Sequence, residues 1–145
     1  MKTLSLFSFL FVFVAFTFVY AGSPADDSAV KQAITNYLSG IDNRNMEAVE
    51  QTLYTDATVV TVNTISNKTS SLSADEFVSQ LKNGTLGGWK REVSFSSVDV
   101  NDKTAMTKVE LTAAKIKQIS YLSLFNDNGK WKIVSDVSII SRNGE

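Results

Sequence analysis

The chain has 145 residues, with 14 Lys and Arg against 15 Asp and Glu for a net charge of −1, and it contains neither Cys nor His. Interspersed, nearly balanced charge excludes a nucleic-acid binder built on a basic face, and the missing Cys excludes disulfides and a lipid-anchoring thiol at a cleavage site. The missing His removes the commonest metal ligand and the one side chain that titrates near neutrality untuned, so neither a metal nor another cofactor is expected and any acid–base work falls to Asp, Glu, Lys or Tyr.

The chain opens with Lys2 and an apolar run from Leu4 to Tyr20, followed by small residues and acids. This is the pattern of a secretory signal peptide, with Val19 and Ala21 placing the cut after Ala21. An uncleaved anchor is the alternative, since the run approaches the length of a spanning helix, but Ser5, Ser8 and Thr17 favour cleavage. The expected product is exported, periplasmic or secreted, and free of the membrane. Cleavage removes six of the nine Phe, leaving Phe77, Phe95 and Phe125 for the core. Residues 22–27 read as a polar leader and 28–142 as a single domain.

In chain order, Val30, Ala33, Ile34, Tyr37, Leu38 and Ile41 recur at helical spacing, with Asp27 or Ser28 as the cap of a first amphipathic helix. Met46, Val49 and Leu53 form one stripe of a shorter second helix capped by Asn45, and the two make a helical hairpin. The β-branched stretch at 57–65 predicts a strand, and 65–73 a polar loop. Ser73 three residues before Glu76 is a capping box for a third helix carrying Phe77, Val78 and Leu81, which Asn83-Gly84 can end. From Trp89 onward the pattern is β. Val93 and Phe95 sit on one parity and Val98 and Val100 on the other, which predicts a bulge near Ser96-Ser97. Asn101-Asp102 makes a turn into the strand of Ala105, Thr107, Val109 and Leu111.

The chain ends in a hairpin around Asn128-Gly129. With a two-residue turn, Asp127 pairs with Lys130, so Leu122, Leu124, Trp131, Ile133, Val137 and Ile139 share one face while Tyr121, Lys132, Asp136 and Ile140 share the other. With a three-residue loop Phe125 pairs with Trp131 and the faces mix differently; both registers stay open. Neither face is cleanly polar, so a homodimer across the sheet is expected to cover the second one.

Tyr37 and Gly40 late in helix one, Asn45, Asp56-Ala57, and Tyr121-Leu122-Ser123-Leu124 with Gly129, Trp131, Ile133 and Val134 carry a resemblance. The chain resembles the nuclear-transport-factor-2-like superfamily, and within it the lumazine-binding-type, SnoaL-like branch. That resemblance implies an α+β fold in which a cone-shaped, strongly curved antiparallel sheet wraps around about three N-terminal helices. It also implies a pocket in the concavity and a dimer on the outer face. The superfamily spans isomerases, dehydratases and cyclases as well as proteins without known activity. Leu53-Tyr54-Thr55 and Ser120 depart from the polar pocket groups the resemblance leads one to expect.

Enzymes of such a fold need a carboxylate in an apolar cavity and a hydrogen-bond donor for oxyanion charge. Asp136 with Tyr121 or Tyr37 is the best pair; equally, Asp136 is readable as a solvated strand residue answering Lys130 or Lys132. Tyr54 and Trp89 complete the candidate pocket, Tyr54 from a helix face and Trp89 as a lid or a strand anchor. Asp56 reads as a turn cap and Glu110 as a cross-strand partner. Asn67-Lys68-Thr69 and Asn83-Gly84-Thr85 match the glycosylation pattern, which matters only in a eukaryotic secretory host. The leading expectation is an exported, non-catalytic homodimer binding a small apolar or aromatic ligand. An enzyme using Asp136, and a module binding another protein through the outer sheet face, are the alternatives.

Overall fold

The computed structural model describes residues 23–144, in which three helices pack against one six-stranded sheet. The expected signal peptide and its cleavage site lie outside the described residues. No helix among those residues is long and apolar enough to cross a membrane.

Helix α1 (Pro24–Asn43) starts earlier than its sequence suggested, because the Ser23 side chain accepts from the Asp26 N–H and Pro24 supplies a preset first-turn φ. Most of the expected leader is therefore helix, with Asp26 and Asp27 in its first turn, where they favour the positive end of the dipole. Val30, Ile34, Tyr37 and Leu38 are buried as the spacing required. Arg44, at φ 52°, ends the helix, and Asn45 caps α2 (Met46–Thr52) by accepting from the Ala48 N–H. Leu53 and Tyr54 fall after α2 rather than on it: they begin strand β1 (Leu53–Asn63).

The stretch expected to be a loop contains a strand, β2 (Lys68–Ser73), paired antiparallel with β1. Its Ser and Thr side chains look polar because β2 is an edge strand and mostly exposed, yet they tolerate extended backbone well. Helix α3 (Ala74–Lys82) carries the full capping box between Ser73 and Glu76. A meander follows: β3 (Glu92–Asn101), β4 (Thr104–Thr112), β5 (Ile116–Asp127) and β6 (Lys130–Arg142). The sheet order is β2-β1-β6-β5-β4-β3, antiparallel except where β1 runs parallel to β6.

Two bulges decide which side chains face the helices. In β3 the register shifts between Phe95 and Ser97, as the parity change predicted, and Phe95, Val98 and Val100 all pack on the core. The terminal hairpin has the two-residue turn, with Asn128 at φ 52° and Gly129 at φ 87°, and Asp127 opposite Lys130. A second bulge lies further along: Leu124 pairs with Ile133 but Ser123 with Ser135, so Val134 is the extra residue. That extra residue reverses the expected faces beyond it. Asp136 and Ser138 turn inward to join Leu122, Leu124, Trp131 and Ile133, whereas Val137 and Ile139 turn outward beside Tyr121.

Candidate functional site

Asp136 is 3% exposed, on the inner face of β6 at the concave side of the sheet. It is not a solvated partner of the hairpin lysines; the Lys132 ammonium donates instead to the Gln51 carbonyl of α2. The Tyr37 hydroxyl, wholly buried on α1, donates to Asp136 Oδ2 at 3.2 Å, while Oδ1 has no hydrogen-bond partner among the described residues. Burial raises the Asp136 pKa from 3.8 to about 6, with the Tyr37 and Ser120 hydroxyls and the Arg91 charge pulling the other way. The same burial, followed by the Asp136 charge and hydrogen bond, pushes the Tyr37 phenol well above its ordinary value, so it stays a protonated donor.

A polar chain runs away from the carboxylate. Gln118, buried on β5, donates from Nε2 to Ser120 Oγ at 3.1 Å and accepts on Oε1 from Arg91 Nη1 at 2.8 Å. Arg91 in turn pairs with Asp42 at the end of α1, with Nη2 2.6 Å from Asp42 Oδ1. Arg91 and Asp42 had no signal in the sequence, because Arg91 sits just before β3 and Asp42 reads as an ordinary polar helix end. Gln118 and Ser120 were legible in principle, since they share the parity of Leu122 and Leu124 and so had to face inward.

This chain borders a cavity of about 140 Å³. Its apolar walls include Val59, Phe77, Leu86 and Ile140, and its polar wall is formed by Arg91, Gln118, Asp136 and Ser138. The mouth lies at the segment following α3, where Thr85 and Trp89 are exposed. That segment is tied down from the α1–α2 corner: Arg44 donates from Nε to the Leu86 carbonyl and from Nη2 to those of Gly84 and Gly87, and Gly88 N–H donates to Ile41 O. Gly87 has φ 71°, and a Cβ there would meet the Ile41 carbonyl oxygen at 2.2 Å.

Of the candidate pocket residues, Asp136 and Trp89 line this cavity and Tyr37 supports Asp136 from the α1 side. Tyr121 does not: it is 48% exposed on the outer face, 5.8 Å below the Lys108 ammonium. Tyr54 stands edge-on to Phe125 in a separate surface groove between α2, α3 and β1. Asp56 is exposed within β1 rather than capping a turn, and Glu110 makes the expected cross-strand pair, with Lys117 at 2.9 Å. No group of three or more metal-ligating side chains occurs among the described residues.

The fold is shared by solved structures of low identity. A protein of unknown function from Silicibacter pomeroyi, called NTF-2 like, aligns with a TM-score of 0.68 at 20% identity, covering 82% of this chain and 97% of that one. A cystatin-like-fold protein from Nostoc punctiforme aligns at 0.67 and 12% identity, covering 82% and 93%. A ketosteroid isomerase-like protein from Erwinia carotovora aligns at 0.64 and 12% identity, covering 85% and 100%. No curated protein matches the chain. A family model described as "Putative lumazine-binding" matches residues 25–137, so this chain belongs to that family, with a fold shared with NTF2-like structures.

Proposed function

We propose that this protein is an exported small-ligand-binding domain that works as a homodimer, with its ligand seated in the concavity against Asp136. One observation carries the reading: a buried carboxylate with one oxygen lacking a hydrogen bond stands in the polar wall of a cavity whose opposite walls are apolar. A cluster of inward polar groups costs stability unless it is satisfied, which is the usual mark of a site kept for use. The volume sets the scale of the ligand. At about 140 Å³ the cavity matches the space that encloses one benzene-sized molecule, well below that of a drug-sized pocket. Titration with benzene or xenon, followed by NMR, tests this: shifts should cluster at Phe77, Trp89 and Asp136. Shifts scattered over the surface, or none, would overturn it.

An enzyme using Asp136 as a base is the second reading, favoured by a carboxyl pKa of about 6. Against it, Tyr37 is committed to holding Asp136 and is not among the cavity-lining residues, which leaves the oxyanion donor role unfilled by either expected Tyr. Asp136→Asn separates the two readings, because a proton-transfer enzyme would lose turnover with its fold intact.

A further inference from the structure

We infer that the ligand of this cavity is a small organic monocation whose ammonium pairs with Asp136 and whose apolar part rests on Phe77 and Trp89. The inference rests on the small-ligand reading above and narrows it to a charge class. It follows from an inventory of the buried charges. Arg91 is attracted to both carboxylates but is in contact with Asp42, at 2.6 Å, and its other hydrogen bond goes to the neutral Gln118. The one hydrogen bond on Asp136 among the described residues comes from the neutral Tyr37 hydroxyl, and the nearby Ser120 hydroxyl is neutral too. The elements packed around it add no compensating cation: α1 contributes Tyr37 and Asp42, the segment before β3 contributes Arg91, and β1, α3 and β5 contribute Val59, Thr61, Phe77, Gln118 and Ser120.

When Asp136 is ionised, the site therefore holds one more negative than positive charge. A buried charge is stable only when paired, and the alternatives to a proton are few. An anion could reach the Arg91 Nη2 group, which lacks a hydrogen bond, but Asp42 already neutralises that charge at 2.6 Å and Asp136 would repel the anion. A monocation would supply the missing charge, and the aromatic walls suit it, since a ring face attracts an ammonium group.

Three probes of nearly one shape test this by calorimetry: benzylammonium, benzyl alcohol and benzoate. At pH 7.5 benzylammonium should bind at least tenfold tighter than benzyl alcohol, and benzoate most weakly. At pH 5 a carboxyl with a pKa of about 6 is mostly protonated, so benzylammonium should weaken by about tenfold. Asp136→Asn should make benzylammonium and benzyl alcohol equal; should that variant not fold, the pH profile of the unaltered protein decides alone. Benzyl alcohol or benzoate binding as tightly as benzylammonium overturns the charge class and leaves a small-ligand site standing. Binding by none of the three also overturns it, and xenon then decides whether the cavity admits a guest at all.

Discussion

Asp136 is the residue whose burial sets a pH-dependent cost on the fold. Its pKa is about 6 in the fold against an ordinary 3.8, so the native state holds this proton more tightly than the unfolded chain does. Below about pH 4 both states are protonated and the fold keeps this contribution in full; as pH rises from 4 through 6 the proton is lost and stability with it. The shift corresponds to about 3 kcal/mol. Urea unfolding as a function of pH should show unaltered protein declining in this window relative to Asp136→Asn, whose profile lacks that component. Parallel profiles would mean that Asp136 is not buried as described. Tyr37, on an apolar helix stripe, was legible as a core residue with a hydroxyl to place, and Asp136 as a partner for it or for Tyr121; which of the two Tyr it faces depended on a backbone feature elsewhere.

That feature is the Val134 bulge, and it shows at the scale of elements why some of the fold was legible and some was not. At Ser96 the bulge sits between apolar residues of opposite parity, Val93 and Phe95 before it and Val98 and Val100 after it, so the parity change is visible in the sequence. Around Val134 the stretch from Ile133 to Ile140 offers apolar residues on both parities, so nothing betrays the extra residue. Strand β2 was missed for a related reason: at a sheet edge the pairing backbone, not the side chains, carries the signal. The loop over the cavity is fixed by backbone too. Gly87→Ala forces a Cβ into the Ile41 carbonyl at a left-handed φ and should cost about 2 kcal/mol or more, read as a lowered urea midpoint with an unchanged slope. An unchanged midpoint would mean that the segment is not held against α1.

Across the whole molecule, the same bulge that turns Asp136 inward leaves an apolar outer face. Met106, Tyr121, Val137 and Ile139 stand exposed on three adjacent strands, and Val60 and Val62 continue the rows on β1. Such a patch seeks cover, and a second copy of the same face supplies it symmetrically. The protein should sediment as a dimer at micromolar concentration, and Val137→Lys combined with Ile139→Lys should sediment as a monomer with an unchanged circular dichroism spectrum. A monomeric unaltered protein would favour a different protein as the partner. The helices and the terminal hairpin pointed to this architecture from sequence, since each rests on periodicity or turn chemistry. A pocket in the concavity and two of its residues, Trp89 and Asp136, were expected, but the rest of its lining was not, because it is made by residues from six separate segments.

The sheet order has a temporal meaning. Strand β6 lies between β1 and β5, joining the α1–α2–β1–β2 block to the meander, yet in sequence it follows every other described strand. As the polypeptide is made, its earlier half can form helices and one hairpin, and its later half three strands, but the two cannot be welded until residues 130–142 arrive. Asp136 is carried on that weld. The cavity beside Asp136 therefore comes into being in the same step that completes the sheet, and a chain halted before residue 130 has neither.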